Sequence, residues 1–494
     1  MSLIQEWDGL PKTKRQAAIR QTFNDGWPPS VDYIQLVLNK DRLGVCASTG
    51  PHYIDAVFGR DSLEVAEDLL ETHQTLAHDI LLTLASLQGT KLDLTSEEEP
   101  GKIHHEYRAA LMGGEPVPKH SLELMHILQQ QWGGTNTDRM IYYGSHDATL
   151  LFVRLLGRYV DLYGSQILRQ TVNNHREQIS TLSDSALAAV RWLISKIDLN
   201  LGLFVYRRLN PIGLANQTWK DSDTSFMFKD GQLPDFDKGI ASLELQGYAY
   251  DALQSAVRLR LGSEQERQNW QNLATNIQRE TIAKLWMPDR QFFAQGLAYD
   301  RLGIFRQLDT LTSDAGVLLD TGLLHDLPDA QSRPMIEDVV RQLCGPDFLT
   351  KIGIRCRSLE HWHLPGYIVY HGSNVVWPKE TFDVCKGLRR SGFANLAKTL
   401  EDGLLDSLEQ SGGFYEFFYV SRDGFVWYDR QAALKHFGQE SPGQTLPMPE
   451  TGQAWTISAA EHILYERSLQ KDKTLDSQMT GTGETSPAGS ESWS

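Results

Sequence analysis

The sequence predicts an all-α fold, a closed ring of helical hairpins of the (α/α)6 toroid kind. Three observations lead there. Apolar residues recur at helical spacing in about a dozen segments, most of them roughly 12–25 residues long. Strand-like alternation is scarce and short. Long polar insertions, around 90–117, 199–236, 345–376 and 411–450, follow roughly every second helix, as they would if all emerged on one face over a central pit. No self-similarity at ~34 or ~40 residues is present, which sets a solenoid aside.

In chain order, residues 1–44 read as a lead-in segment whose short helix breaks at Gly26-Trp27-Pro28-Pro29. Brief strand-like pieces follow around Gly44-Val45-Cys46-Ala47 and Tyr53 to Phe58. Asp61 or Ser62 can cap the run Leu63, Val65, Ala66, Leu69 and Leu70, and the period continues through Ala77–Leu87. The stretch 90–117 is polar and rich in imidazole and charge. A loop of that length in a compact domain points to function, with a solvated loop as the rival reading. From Ser145 the chain turns strongly helical, with Leu150, Leu151, Val153, Leu155, Leu156, Tyr159 and Val160 on a broad apolar face. Helical patterning returns at 171–196, 237–260, 264–286, 312–324, 331–344, 378–391, 393–409 and 452–467. The ring domain is expected to span 45–468. Residues 469–494, rich in Ser, Thr, Gly and Glu, are expected to be disordered.

Composition narrows the chemistry. The 494 residues are 41% hydrophobic and 22% charged, which is globular usage. A formal net charge of −16 argues against nucleic acid and anionic membranes as partners. No apolar run of membrane-spanning length occurs, and residues 1–6 lack the order of a signal peptide, so a cytoplasmic protein is expected. Cys46, Cys344, Cys356 and Cys385 show no metal-type or disulfide-framework spacing. No metal-ligand spacing and no nucleotide-binding glycine loop stand out, so neither a metal nor a cofactor is expected, and the partner is a small-molecule or oligosaccharide substrate.

Two stretches carry chemistry. Asn216-Gln217-Thr218-Trp219-Lys220-Asp221-Ser222-Asp223 packs two carboxylates, an amide pair, an ammonium and an indole into eight residues. An indole face stacks on a sugar ring, amides and charges bind hydroxyls, and a carboxylic acid can protonate a glycosidic oxygen. Far downstream, Glu416 sits in Gly412-Gly413-Phe414-Tyr415-Glu416-Phe417-Phe418, ahead of Glu450-Thr451-Gly452-Gln453-Ala454-Trp455. A carboxylate among aromatics must be solvated or its pKa rises, a setting that suits a general base holding a water. The bland rivals are a polar surface loop and an exposed Glu on an aromatic strand.

Seven stretches occur in a telling order: Phe58-Gly59-Arg60-Asp61-Ser62, Gly101 to Arg108, Tyr143-Gly144-Ser145-His146-Asp147-Ala148-Thr149, Asn216 to Ser222, Leu243-Glu244-Leu245-Gln246-Gly247-Tyr248, Gly372 to Pro378, and Gln453-Ala454-Trp455. In wording and order they resemble the amylo-α-1,6-glucosidase (glycogen debranching) family and its bacterial relatives, over about 45–465. The resemblance implies a six-hairpin glycosidase ring and an inverting hydrolase that removes terminal α-linked glucose, with α-1,6 the expected linkage. It places the acid on Asp221 and the base on Glu416, with Asp223 and Glu450 in reserve. Trp219, Tyr143, Trp377 and Trp455 become candidate subsite walls. Arg60, Asp61, Glu106, Arg108, Asp147 and Gln246 become candidate hydroxyl contacts. Core packing, capping and ion pairing are the rival readings.

The chain also departs from those relatives. Trp377-Pro378-Lys379-Glu380 stands where they tend to have Trp-Pro-His-Asp, Thr451-Gly452 stands where they tend to have Arg-Pro, and 57 residues precede the first motif. These differences bear on the substrate. One alternative is a glucosylglycerate or mannosylglycerate hydrolase, for which Arg355, Arg357 and Lys379 are the candidate anion-binding cluster. Another is a non-hydrolytic relative, either a phosphorylase or a sugar-binding protein.

Overall fold

The computed structural model describes residues 3–41, 43–133, 138–440 and 445–480. Among the described residues fifteen α-helices dominate, with short strands between them. They are α1 (Lys12–Asp25), α2 (Gly59–Asp68), α3 (Gln74–Ser86), α4 (Lys119–Trp132) and α5 (Asp147–Tyr163). Next come α6 (Leu182–Ser195), α7 (Leu243–Arg258), α8 (Glu264–Leu285), α9 (Asp314–Val317) and α10 (Gly322–His325). The last are α11 (Asp329–Leu343), α12 (Pro378–Arg390), α13 (Ala394–Ser411), α14 (Arg430–Glu440) and α15 (Ala454–Thr480).

Six of these helices form a cycle of contacts. α2 packs on α5, α5 on α7, α7 on α9, α9 on α12, α12 on α15, and α15 back on α2. Their sequences suit an interior place: α5 and α7 bury residues all around the helix, not on one stripe. A second set packs against the cycle. α3 lies on α2, α6 on α5 and α7, α8 on α7, α11 on α9, and α13 on α12. Helix α8 shows the pattern expected of such a helix. Trp270, Ala274, Ile277, Thr281 and Leu285 are buried at spacings of three and four, and a Ser263–Glu266 capping box fixes its start. Each large apolar side chain on that stripe contributes about 1.5–3 kcal/mol by leaving water.

The strands are short antiparallel pieces, and they set the starts of the helices in the cycle. Ala56–Phe58 pairs with Glu106–Ala109, which pairs with Arg139–Tyr142. Ala56–Phe58 runs straight into α2. Ile240–Ser242, paired with Gly296–Tyr299, runs into α7. Val375–Val376, paired with Phe418–Val420, leads into α12. The first turns of five cycle helices each carry an acid: Asp61, Asp147, Glu244, Asp314 and Glu380. A helix N-terminus favours negative charge, so this end of the molecule suits a buried acidic cluster.

Several expected elements differ in extent. The 171–196 segment is a hairpin, Thr171–Asn173 with Ile179–Thr181, followed by α6, which starts at a Thr181–Asp184 capping box. The 312–324 segment is α9, a 3-10 turn and α10. The break follows Thr321, which is extended, and the Gly322 amide donates to Asp251 at 2.8 Å. Helices α4 and α14 escaped the periodicity reading because each buries only two residues along its length, leaving little apolar period to see. The last helix runs to Thr480, past the expected boundary at 468, while 481–494 lie outside the described residues and the expected tail with them. Among the described residues no helix is long and apolar enough to cross a membrane.

Candidate active site

Arg60 and Asp61 open helix α2. Gly59 is what lets them do so: a Cβ there would sit 2.1 Å from the carbonyl oxygen of His104, in the backbone that packs across this turn. Arg60 is buried and divides its guanidinium among three residues on two segments. Nε donates to Asp147 Oδ2 at 2.6 Å, Nη2 donates to the Thr218 carbonyl at 2.8 Å, and Nη1 lies 3.5 Å from Asp221 Oδ2. Asp147 is itself held by the Ser145 hydroxyl and by the Ala148 amide. A buried ion pair with its donors engaged is a rigid support for what it touches.

The segment 216–223 is strapped in place on both sides. The His146 amide donates to the Gln217 carbonyl at 2.8 Å, and the Gln217 side chain donates to Glu97 at 2.7 Å. Tyr206 donates to Asn216, whose amide donates to the Ser222 carbonyl. Lys220 points inward and is 1% exposed; its ammonium meets Glu380 at 2.8 Å, Ser313 at 3.0 Å and Asp314 at 3.1 Å. The neighbouring Asp221 points the other way and keeps 37% of its side-chain surface. It nevertheless stands among enough protein that desolvation raises its pKa to about 6, against the pull of Arg60. Asp223 is exposed.

Glu416 arrives from the opposite side of the sequence. Helix α13 ends at Gly412 in the left-handed conformation (φ +69°), and the chain then runs along the segment before α15. The Glu416 amide donates to the Glu450 carbonyl at 3.0 Å, and the Glu450 amide donates back to Glu416 Oε2 at 3.1 Å. Burial pushes the Glu416 carboxyl up to about 8, the Glu450 amide opposes that, and the charges of Glu450, Asp221 and Asp61 add to it. The Glu450 carboxylate lies against Gly50, where a Cβ would stand 2.0 Å from its Oε2.

The Asp221 charge therefore bears on Glu416, and both act on the same two phenols. Tyr53 and Tyr370 are pushed up first by burial and then by Glu416, with Asp221 and Glu450 contributing. Neither tyrosine was singled out by sequence, nor was His371. Its ring stacks on Trp377 at 5.3 Å and its Nδ1 meets the Ser222 hydroxyl at 2.8 Å, bracing the Asp221 loop. The signal available was position alone: Tyr53 precedes the Arg60 motif, and Tyr370 and His371 precede Gly372-Ser373-Asn374.

The other candidates divide. Asp61 is buried beside this cluster, its Oδ1 lacks a partner, and burial raises it to about 7. Trp219, Trp377 and Trp455 form one aromatic cluster, with Trp219 set edge-on to Trp377 at 5.3 Å and Trp377 to Trp455 at 5.9 Å. Trp219 is only 2% exposed, and the Lys379 ammonium lies 4.7 Å from its ring centre. Glu106 and Arg108 form a buried ion pair, and Arg108 Nη1 is left without a partner. Two candidates are turned away. Tyr143 is buried and its hydroxyl donates to the Leu87 carbonyl at 2.8 Å. Gln246 gives its whole amide to the backbone of Phe204 and Ser242.

The expected anion-binding cluster is also taken up internally. Arg355 donates to the carbonyls of Ser373, Val420 and Ser421, and Arg357 to those of Pro365 and Thr224. Lys379 pairs with Glu64 at 3.0 Å and Asp383 at 2.8 Å. Glu244 is fully buried with both oxygens unpartnered, and burial holds its carboxyl well above the usual carboxylate range against the pull of Lys379.

No family profile and no curated protein matches this chain. Solved structures do resemble it. A GH63 mannosylglycerate hydrolase from Thermus thermophilus, in complex with glucose, aligns with a TM-score of 0.55 at 14% identity, covering 91% of this chain and 99% of that one. The same hydrolase in complex with Tris and D-glycerate aligns at 0.53 and 14%, covering 92% and 99%. An uncharacterized conserved protein from Thermus thermophilus aligns at 0.53 and 13%, covering 92% and 99%. At such identity the likeness establishes a shared helical fold along nearly the whole of both chains.

Proposed function

We propose that this protein is an inverting glycoside hydrolase acting on a small glycoside, a hexose carried by a short aglycone of the mannosylglycerate or glucosylglycerate kind. The cycle of six helices, backed by a second set, fits the (α/α)6 toroid expected from the sequence. The likeness in fold and size to a mannosylglycerate hydrolase supports a small substrate over a branched glucan. The observation that carries the reading is the pairing of Asp221 with Glu416. The two acids come from segments far apart in the chain, the charge of Asp221 raises Glu416, and both bear on the same two tyrosines.

In this reading Asp221 gives its proton to the leaving oxygen, and Arg60 at 3.5 Å stabilises the carboxylate that remains. Glu416, oriented through Oε2 by the Glu450 amide, takes a proton from the water that attacks the anomeric carbon from the other face. The resting proton order is opposite to these roles, because Glu416 near 8 holds its proton more tightly than Asp221 near 6. The reactive form is thus the minor one, with Asp221 protonated and Glu416 ionised, and the roles follow the sequence resemblance. Asp61, which keeps an unpartnered buried oxygen, is the candidate acceptor for a sugar hydroxyl. Arg108 Nη1, the free donor of a buried guanidinium, suits the carboxylate of a glycerate.

A second reading is a neutral α-glucoside, including the α-1,6 linkage. It is favoured by the internal use of Arg355, Arg357 and Lys379, which leaves few cations for an acidic aglycone. Incubation with mannosylglycerate, glucosylglycerate, isomaltose and panose separates the two. Release of hexose together with glycerate supports the first reading. Turnover of isomaltose and panose alone transfers the assignment to the second. No turnover of any, or hexose 1-phosphate formed only when phosphate is supplied, rejects the hydrolase.

A further inference from the structure

Away from the acidic pair, three side chains converge where the end of the chain meets its beginning. Asp32 immediately precedes the 3-10 helix Tyr33–Leu36, His73 ends the turn between α2 and α3, and Glu461 lies on α15. One ligand-type atom from each lies within 4.8 Å of the other two. Glu461 is 2% exposed. The backbone amides of Tyr33 and Ile34 face it and favour its charged form, yet neither carboxylate oxygen completes a hydrogen bond. Asp32 Oδ2 accepts from Gln35 at 3.1 Å, while its buried Oδ1 also lacks a partner. Two carboxylates face one another in a shielded site, Glu461 against two backbone amides, and neither makes an ion pair among the described residues.

The imidazole is prepared for a positive centre. The Thr72 hydroxyl has one hydrogen, and it donates it to the Leu69 carbonyl at 3.2 Å. The same oxygen lies 2.9 Å from His73 Nδ1 and occupies that ring nitrogen; in the tautomer with the proton on Nδ1, Nε2 carries the lone pair. A neighbour that occupies the other ring nitrogen in this way is the usual support of a metal-binding histidine.

We propose that Asp32, His73 and Glu461 bind a divalent transition-metal ion of the zinc class, which staples the lead-in segment, the α2–α3 turn and α15 together. Two carboxylate oxygens and one imidazole nitrogen form a ligand set that such ions accept, with water completing the coordination. Bonds of ~2.1 Å hold ligand atoms ~3.5 Å apart, so small rotamer changes close the cluster. The ion fastens the point where α15 returns to α2, and it takes no part in the chemistry at Asp221 and Glu416.

The test uses the full chain stripped with chelator and then titrated with Zn2+ alone by calorimetry and with Co2+ alone by visible absorption. One site per chain is expected, with a rise of a few degrees in the thermal midpoint at saturating Zn2+. His73→Gln and Glu461→Gln should each weaken it at least a hundredfold, and Asp32→Asn by tenfold or more. His436→Ala, which removes a surface His–Glu pair at 3.3 Å, should leave it unchanged. Circular dichroism of the metal-free variants separates lost binding from lost folding. The absence of a site, binding undiminished in His73→Gln and Asp32→Asn, or binding without a thermal shift would overturn the proposal.

Discussion

Glycosyl fluorides separate the roles of Asp221 and Glu416, because fluoride leaves without needing a proton. With Asp221 near 6 and Glu416 near 8, about one tenth of Asp221 is protonated at pH 7 and about one tenth of Glu416 is ionised. In the proposed roles a natural glycoside needs both at once, so roughly 1% of the protein would be competent at pH 7, and kcat/KM should be bell-shaped with limbs at about pH 6 and about pH 8. The α-fluoride of the released hexose needs only the ionised Glu416. Asp221→Asn should lose about 10²–10⁴ on the glycoside yet stay within ~10-fold of the wild type on the fluoride. Its fluoride profile should keep a single limb that rises with pH. The midpoint of that limb should lie below 8, because the Asp221 charge that raises Glu416 is gone. Glu416→Gln should lose about 10²–10⁴ on both substrates. Initial rates by fluoride electrode and by hexose release provide the assay. If Glu416→Gln keeps fluoride turnover and Asp221→Asn does not, the roles are exchanged. Equal loss on both substrates in both variants refutes a dedicated acid.

Three further outcomes follow from the same geometry. Glu416 is raised from 4.5 to about 8, so ionisation of the unfolded chain works against the fold as pH rises from about 4.5 to about 8, and Glu416→Gln removes that penalty. The variant should gain up to a few kcal/mol at pH 8–9 in denaturant unfolding and gain little below pH 4.5. Lys220→Met strands Asp314 and Glu380 in the interior and should cost about 3–5 kcal/mol by the same measurement, with activity falling as the Asp221 loop loosens. Arg108→Gln should raise KM for mannosylglycerate about tenfold and leave that for a neutral glycoside nearly unchanged, provided the carboxylate meets Nη1; equal effects on both substrates would remove Arg108 from aglycone binding.

Much of the helical framework was legible because helices that bury a wide face advertise it. The apolar residues of α5 and the stripe of α8 announce themselves in the sequence. Helices α4 and α14 carry little such signal because little of them is buried. The polar site was legible in its parts but not in its orientation. Lys220 and Asp221 are adjacent in sequence, yet one is sealed among Ser313, Asp314 and Glu380 while the other faces solvent. Arg355 and Arg357 read as free cations, but both donate to backbone carbonyls in loops whose course only tertiary packing decides. Gln246, a candidate hydroxyl contact, instead pairs with the Phe204 backbone as a neighbouring strand would. Tyr53, Tyr370 and His371 were missed because an aromatic in a loop carries no periodicity, and its value comes from which acids end up beside it.

The most direct test is the anomeric configuration of the first hexose released, followed by proton NMR within the first minutes, before mutarotation. Two carboxyls acting from opposite faces, one as acid and one as base on water, require that an α-glycoside yield the β-hexose first. An α-hexose appearing first would mean a covalent or same-face route, and would contradict the pairing of Asp221 with Glu416 in these roles.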